Sequence, residues 1–307
     1  MKELLKIAWR NIWRSKRRTI LTMTSIILAA CLALFTRSLQ KGSYGNMIGN
    51  AVKLSTGYLQ IQGNGYWENK SIDKAFISSD SLLNLVTDFE NVESVTPRLE
   101  SFALASSGKH TKGTVVIATI PELEDDLNKL SEKLISGEYF SENDNEVLVA
   151  EKLAGYLQVN VGDTLVLLGQ GYHGVTAAGK FRVKGIIKFP IPQLNNQLIY
   201  IPLKAGQNYY SSYNLTTTYS IMISNPKELE ETTSLLRNNL SDEYVVMDWM
   251  ELNKEMVQAI KSDDIGGQIM LGILYMVIGF GMFGTIMMMT MERRKEFAVM
   301  VAVGMQK

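Results

Sequence analysis

Two long stretches without charged residues stand out in the pattern of polar and apolar positions. Residues 19–36 and 265–291 contain no Asp, Glu, Lys, Arg or His. A helix crosses a bilayer with about 18 to 20 mostly apolar residues. We therefore expect two transmembrane helices, one at 19–36 and one at 265–291, which separate the ends of the chain from a large region at 37–264.

Residues 1–18 have the pattern of an amphipathic helix. At about 100° per residue, Trp9 and Trp13 fall on one side of the helix, and Arg10 and Arg14 fall on the other. Tryptophan prefers the headgroup layer of a bilayer, and basic residues suit anionic lipid. We expect a helix that lies in the membrane interface. The alternative is a basic flank with no defined fold.

The region between the apolar stretches mixes strand and helix patterns. Strand composition beside turn residues occurs at 58–62, 114–120, 146–150, 164–168, 181–189, 198–201, 219–224 and 244–247. Helical periodicity occurs at 81–89, 151–157, 226–240 and 249–262. Asn225 suits the cap of the third of these helices, Pro226 its first position and Glu228 its capping box. We expect a βαβ-type unit at 219–247.

Strands and turns are densest in the middle of this region, at about 98–212. Its flanks, at 50–97 and 213–264, carry the mixed α/β pattern. The expected fold class is an α+β membrane protein. It has an N-terminal interfacial helix, two transmembrane helices and a large extracytoplasmic α/β lobe with an inserted β-rich lobe.

The zero net charge is a sum of unlike parts. Residues 1–18 carry seven Lys or Arg against one acid, residues 37–264 carry twenty against twenty-eight, and residues 292–307 carry four against two. Short basic flanks of a transmembrane helix stay on the cytoplasmic side. We therefore expect both ends, 1–18 and 292–307, in the cytoplasm and 37–264 outside.

The first apolar stretch has one other interpretation, a bacterial lipoprotein signal. Leu28-Ala29-Ala30-Cys31 follows a basic segment, as in a peptide whose cysteine is lipidated after cleavage. The apolar run continues beyond Cys31 to Phe35, which favours a membrane-spanning helix. The chain has one cysteine and two histidines, so we expect no disulfide and no Cys- or His-based metal site.

Three apparent catalytic motifs lack the context that their chemistry needs. Residues 169–174 match G-x-G-x-x-G, but the next segment reads as a strand and not as a helix facing a pyrophosphate. Gly108-Lys109 lacks the rest of a P-loop, and the acidic run 122–126 is typical of a solvated helix start. We expect no catalytic residue, no cofactor, no metal and no nucleic-acid partner.

Small residues recur along the second apolar stretch. Spacings of three to seven residues bring several of them onto shared helix faces, where they allow another helix to approach closely. The alternative is a lipid-facing surface. The residues expected to pack are Gly272, Gly279, Gly281, Gly284 and Thr285.

Four runs resemble the FtsX-like permease family of ABC transporters, of the MacB and lipoprotein-releasing type. The run at 5–22 reads LKIAWRNIWRSKRRTILT and resembles the entry to the family's first span. The run at 291–304 reads MERRKEFAVMVAVG and resembles the segment after its second span. Residues 146–154, EVLVAEKLA, and 161–164, VGDT, resemble the outer domain of the MacB-like branch.

The resemblance implies a permease core in the bacterial inner membrane. It implies a second permease subunit, four spans per subunit and a separate cytoplasmic ATPase, with the third and fourth spans expected after Lys307. It implies that the segment matching 292–304 couples to the ATPase. The residues assigned to this coupling are Glu292, Arg293, Arg294, Glu296, Phe297 and Met300.

Release or translocation of lipoproteins is the first functional hypothesis, with the permease as a non-catalytic subunit that transmits motion. Peptide or antibiotic export, or control of a cell-wall hydrolase, is the alternative within the family. A membrane-anchored binding domain without an ATPase is the alternative outside it. The turn at 169–180 lies where a lipoprotein-releasing subunit contacts its periplasmic carrier. Gly171, Tyr172 and His173 are therefore a possible partner-binding turn, and a plain hairpin loop is the other interpretation.

Overall fold

The computed structural model describes Lys6, Trp9, Arg10, Trp13 and residues 16–304, except for the side chain of Phe297. It divides into two bodies. The helical body comprises Met1–Asn46 and Glu255–Lys307, and the sheet body comprises Met47–Lys254.

Eleven helices and twelve strands are described in these residues, with short 3₁₀ turns between some of them. The helices are α1 (Lys16–Ala51), α2 (Tyr66–Asn69), α3 (Asp80–Thr87), α4 (Pro121–Asn128), α5 (Glu151–Leu157), α6 (Pro192–Gln197), α7 (Leu203–Tyr209), α8 (Leu229–Asn239), α9 (Trp249–Leu252), α10 (Lys254–Glu292) and α11 (Arg294–Ala302). The strands are β1 (Leu59–Gly63), β2 (Phe76–Ile77), β3 (Val92–Ser107), β4 (His110–Thr119), β5 (Leu134–Gly137), β6 (Glu146–Ala150), β7 (Thr164–Gln170), β8 (Thr176–Ile187), β9 (Leu198–Pro202), β10 (Leu215–Thr216), β11 (Thr218–Ile223) and β12 (Tyr244–Asp248).

Helices α1 and α10 are long and apolar enough to cross a membrane. Both continue beyond the charge-free stretches, so residues 37–46 and 255–264, expected in the outer region, are helical and belong to the helical body. Charged residues mark where an apolar stretch ends, but a helix satisfies its own backbone hydrogen bonds and continues into water.

The α/β lobe of the sheet body contains the strands β12, β1, β11 and the first part of β3, in that spatial order. Strand β1 lies antiparallel between β11 and β12, so the unit β11–α8–β12 is a βαβ element with a third strand inserted. This confirms the unit expected at 219–247. Asn225 caps the 3₁₀ turn Pro226–Glu228, where its side chain accepts from the backbone N–H of Lys227 at 3.2 Å. The capping box expected from Glu228 is wrong, because the Asn225 N–H donates to Asn91 and α8 starts after the turn, at Leu229.

The β-rich lobe is a closed barrel of six strands. Following the hydrogen-bonded neighbours, β3 pairs with β4, β4 with β9, β9 with β6, β6 with β8, β8 with β7, and β7 with β3 again. Closure pairs both edges of every strand. The interior is filled by buried aliphatic residues such as Leu99, Val116, Leu167 and Ile199. The expected inserted lobe is thus present, with β3 shared between barrel and α/β lobe.

Several elements differ from the expectation. The short strands β2, β5 and β10 and the short helices α2, α6 and α7 were not assigned from the sequence. Strand β3, of 16 residues, was not predicted, because Pro97 interrupts its run and Ser and Ala dominate its second half. The helix expected at 249–262 is broken at Asn253 into α9 and α10. The start of α9 is fixed by a capping box, in which the Asp248 side chain accepts from the Glu251 N–H at 2.7 Å.

Candidate functional site

An ion pair joins α1 and α10 at the ends of the charge-free stretches nearest the chain termini. Arg18 donates to both carboxylate oxygens of Glu292, at 2.7 and 3.3 Å. Glu292 was assigned to ATPase coupling from the sequence, and the structure gives it a partner within the chain. Arg18 directly precedes one apolar stretch and Glu292 directly follows the other, so the charges at their boundaries could have indicated this pair.

The other predicted coupling residues follow a break in the helix. Arg293 leaves the helical conformation, and α11 starts at Arg294 as a separate helix. Glu296, Phe297 and Met300 lie on α11, and the side chain of Met300 is exposed. The segment is therefore a short helix set off from α10, and its role in coupling stays a prediction.

A group of five polar residues, here called the polar clasp, joins the two long helices at the opposite ends of the apolar stretches. Arg37 contacts Asp264 at 2.6 Å and donates to Gln40 at 3.0 Å. Gln40 donates to Asp263 at 2.9 Å, and the hydroxyl of Tyr44 donates to the same carboxylate. The five residues of the polar clasp are Arg37, Gln40, Tyr44, Asp263 and Asp264.

Gly267 lies against the polar clasp. A Cβ added there would lie 3.1 Å from the side-chain oxygen of Gln40 and 3.4 Å from a guanidinium nitrogen of Arg37. A Cβ at this position would require the Gln40 side chain to shift, and a larger side chain would require a larger shift, so glycine favours the close approach of α10 to α1. This close approach was not assigned from the sequence.

The glycines that were assigned to helix packing lie elsewhere on α10. A Cβ built at Gly272, Gly279, Gly281 or Gly284 would meet nothing within 4 Å in the described part of the chain. Thr285 donates to the carbonyl oxygen of Gly281 in its own helix, at 2.9 Å. Their packing against another helix stays a prediction, and it would need a helix outside the described residues.

An apolar groove of about 450 Å³ runs between α1 and α10 beside the polar clasp. Its polar lining residues are Thr36, Arg37 and Gln40, which lie at one end, while the rest of its wall is aliphatic. The groove thus combines an apolar trough with a charged and amide-bearing end, an arrangement that suits an amphiphile. The lining residues are Leu32, Ala33, Thr36, Arg37, Gln40, Gly267, Met270, Leu271, Ile273, Leu274 and Val277.

The described residues of the N-terminal segment are helical. The rings of Trp9 and Trp13 have centroids 6.0 Å apart, and both side chains are exposed, as is Arg10. Arg14 lies outside the described residues. The interfacial position expected for these residues stays a prediction.

The turn after β7 is fixed to two parts of the sheet body. The N–H of Tyr172 donates to the carbonyl oxygen of Tyr210 at 2.8 Å, and the N–H of His173 donates to Asp73 at 2.6 Å. A Cβ at Gly171 would lie 2.6 Å from the same Tyr210 oxygen, so this position needs glycine. The G-x-G-x-x-G run is confirmed as a turn between strands, and its partner-binding role stays a prediction.

The end of α1 enters the sheet body through an unusual turn. Residues Val52–Thr56 form a π-helical turn, and Gly57 follows with a positive φ of 71°. A Cβ on Gly57 would lie 2.7 Å from the carbonyl oxygen of Ile221. Only Gly57 and Tyr58 separate this turn from β1, so the connection between α1 and the sheet is short.

A buried ion pair lies beside that turn. Arg98 is 1 % exposed and Glu124 is fully buried, and they form two hydrogen bonds of 2.6 and 2.8 Å. Burial alone would lower the pKa of the Arg98 guanidinium, but the Glu124 carboxylate raises it overall, so the arginine stays charged. The acidic run 122–126 was expected as a solvated helix start. A helix does start there, but Glu124 is buried because Arg98 pairs with it. Charged residues read as surface positions unless their partner is known.

Along the sequence, two apolar helices long enough to cross a membrane flank an α/β lobe with an inserted barrel, which fits a membrane permease with a large domain between two helices. The MacB-like periplasmic core domain family matches residues 19–239, more than two thirds of the chain. The chain therefore belongs to the MacB-like periplasmic core domain family. Its sheet body is a domain of the kind found in ABC transporter permeases. This confirms the resemblance stated from the sequence.

The chain is also similar to individual proteins. It is 19% identical over 297 residues to the lipoprotein-releasing system transmembrane protein LolC of Neisseria meningitidis serogroup B, covering 94% of this chain and 69% of that protein. The periplasmic region of MacB from Actinobacillus actinomycetemcomitans matches with TM-score 0.47 and 18% identity, over 68% of this chain and 95% of that one. The extracellular domain of the ABC-type transporter YknZ from Gram-positive bacteria matches with TM-score 0.44 and 14% identity, over 62% and 99%.

Proposed function

We propose that this chain is a permease subunit that moves lipid-anchored proteins, driven by a separate cytoplasmic ATPase. In this proposal α1 and α10 span the bacterial inner membrane, the sheet body lies outside, and a second permease subunit completes the core. The chain itself performs no covalent chemistry; it transmits the ATPase cycle as motion of the sheet body.

The apolar groove between α1 and α10 carries this proposal. Its apolar wall can hold an acyl chain that enters from the bilayer, but lipid tails are equally apolar, so binding has to depend on packing and on the polar end of the groove. The polar clasp at its end offers Arg37 and Gln40 to the polar part of a lipid-modified residue. The name of the similar LolC protein, a lipoprotein-releasing subunit, points to the same class of cargo.

Coupling to an ATPase is tested first, on α11. Phe297→Asp places a charge where an apolar anchor is expected, so we expect the ATPase to be lost from the purified chain while membrane insertion is retained. Leu235→Asp is the control, because Leu235 is an exposed apolar residue on α8 of the sheet body and lies outside the segment 292–304. Full ATPase recovery with Phe297→Asp would contradict the coupling role. Absence of any ATPase from the unaltered chain would favour a membrane-anchored binding domain.

The cargo is tested in the groove. A photo-crosslinking residue at Leu274, which lines the groove, is expected to capture acylated lipoproteins, whereas the same residue at Phe280, exposed and outside the groove lining, is not. Capture should disappear when lipoprotein acylation is blocked. Equal capture at both positions would indicate contact with bulk lipid and would exclude the groove as a cargo site.

A further inference from the structure

Arg98 lies where three parts of the sheet body meet. On β3 it pairs with Thr218 of β11, which belongs to the α/β lobe, and with Thr119 of β4, which belongs to the barrel. It is thus the residue at which β3 passes from one lobe to the other. The third part is the end of α1, because Arg98 also donates to the carbonyl oxygen of Ser55 in the π-helical turn.

The hydrogen bonds around this arginine fix its position. Two guanidinium nitrogens of Arg98 donate to the carboxylate of Glu124 on α4, and the third donates to the carbonyl oxygen of Ser55. The planar guanidinium thus binds two acceptors on different sides at the same time. Glu124 also accepts from Thr119 at 2.9 Å and from Asn128 at 2.6 Å. Glu100 also lies 3.7 Å from the guanidinium. Buried charges that are paired in this way hold one another in place, because breaking a pair exposes the cost of an unpaired buried charge.

The contact to Ser55 is made in the π-helical turn Val52–Thr56. π-helical turns are rare and occur frequently at functional sites. Here the turn ends α1, and the Gly57 N–H donates to the carbonyl oxygen of Val52 at 2.9 Å. The covalent path from this turn leads to β1, in the α/β lobe. Arg98 adds a second, direct path to β3, the strand that the lobe shares with the barrel.

We propose that Arg98 is the positioning residue that transmits movement of the end of α1 to both lobes of the sheet body at once. The inference rests on the proposed function in one respect, the movement of α1 driven by an ATPase. The contact between Arg98 and Ser55 is a property of the chain alone. Without it, the helix end would lose its hydrogen bond to β3, while its covalent connection to β1 and its packing against α4 would remain.

The first test uses hydrogen exchange of the full chain in detergent, without an ATPase. Arg98→Lys retains a positive charge to pair with Glu124. Its single ammonium group lacks the planar set of donors that binds Glu124 and Ser55 together. We expect exchange at residues 54–58 to accelerate by about tenfold or more, because a charge-assisted hydrogen bond is lost locally. Arg237→Lys is the matched control, since Arg237 also binds a carbonyl oxygen, that of Val246, and a carboxylate, that of Glu251. Unchanged exchange at 54–58 in Arg98→Lys would overturn the proposal.

A second variant covers the case in which Arg98→Lys fails to fold. Replacing both charges by apolar residues, Arg98→Met with Glu124→Leu, removes the unpaired charge, and such replacements are often neutral or stabilising. Thr119 and Asn128 lose their acceptor in this double variant, so we expect it to fold with a lowered unfolding midpoint. We also expect exchange at 54–58 to accelerate more than exchange elsewhere in the sheet body. Normal exchange there would equally overturn the proposal.

The second test measures transmission in the complex with the ATPase. Spin labels at Lys109→Cys in the barrel and Asn238→Cys in the α/β lobe, in a Cys31→Ser chain, report the distance between exposed points of the two lobes. Adding ATP is expected to change this distance distribution in the unaltered chain, and the Arg98→Lys variant is expected to lose the change while ATP hydrolysis continues. A change retained in Arg98→Lys would overturn the transmission role. No change in the unaltered chain, together with accelerated exchange in the variant, would contradict the proposed function and leave the Arg98 contact standing.

Discussion

The backbone N–H of Trp249 donates to the carbonyl oxygen of Tyr58 at 2.9 Å. Tyr58 belongs to the connection between α1 and β1, and Trp249 starts the connection between β12 and α10. Since β1 and β12 are antiparallel neighbours, the two connections are held side by side. The chain segments that connect α1 and α10 to the sheet therefore join it at adjacent strands, β1 and β12.

The salt bridge of the polar clasp is expected to tolerate exchange of its two charges. Arg37→Asp alone replaces the ion pair by two facing carboxylates, that of Asp264 and that of the new side chain. It should lower the free energy of unfolding by about 1 kcal/mol or less, because the pair is partly exposed. Arg37→Asp combined with Asp264→Arg should recover most of the loss. Thermal unfolding of the full chain in detergent measures both. A double variant no better than the sum of its single variants would contradict a direct pair.

Gly267 is expected to be the glycine whose replacement separates α1 from α10. Gly267→Leu must displace Gln40 from Asp263, because even a Cβ at this position lies 3.1 Å from Gln40. Gly266→Leu is the control, since a Cβ there meets nothing within 4 Å. Disulfide trapping between cysteines placed on the two helices should fall with Gly267→Leu and stay unchanged with Gly266→Leu. Equal trapping in both variants would contradict the close approach.

The elements predicted from the sequence are those with strong local signals. The expected bounds of β6 and α5 match the structure, because apolar runs and turn residues mark both ends of each. Closure of the barrel was not predicted, since it depends on pairs distant in sequence, such as Leu104 with Leu168. Local patterns specify strands, but they do not specify which strands meet.

The site was predictable only in part, for a similar reason. Arg18, Arg37, Asp264 and Glu292 stand at the four boundaries of the charge-free stretches, and an antiparallel arrangement of two helices pairs them by opposite sign. That signal was present in the sequence. The role of Arg98 was not, because it depends on tertiary contacts with the end of α1, β11 and α4 that no local pattern encodes.

The ion pair between Asp144 and Lys184 is expected to make stability depend on pH in the acid range. The hydrogen bond from Lys184 lowers the pKa of the Asp144 carboxyl below its ordinary value. A carboxyl with a lowered pKa in the folded state stabilises above its unfolded pKa of about 4, and the contribution is lost as the pH falls through the folded value. Asp144→Asn should therefore cost about 0.5–1 kcal/mol at pH 7 and almost nothing near pH 2.

Unfolding of the full chain in detergent at pH 7 and at low pH measures this difference. Asp126→Asn is the control, because Asp126 is exposed and forms no ion pair among the described residues. A constant difference between the Asp144→Asn variant and the unaltered chain at both pH values would contradict the pair.

Exchanging the charges of Arg18 and Glu292 separates the structural role of this pair from direct ATPase contact. Glu292→Arg alone places two cations together, so we expect it to disturb the end of α10 and to reduce recovery of the ATPase. Adding Arg18→Glu should restore recovery if Glu292 acts by holding the two helices together through its two hydrogen bonds of 2.7 and 3.3 Å to Arg18. The measurement is the ratio of ATPase to permease after purification in mild detergent, with Phe297→Asp as the variant that the exchange should not rescue. Failure of the double exchange to restore the ATPase would instead assign Glu292 to the surface that the ATPase contacts.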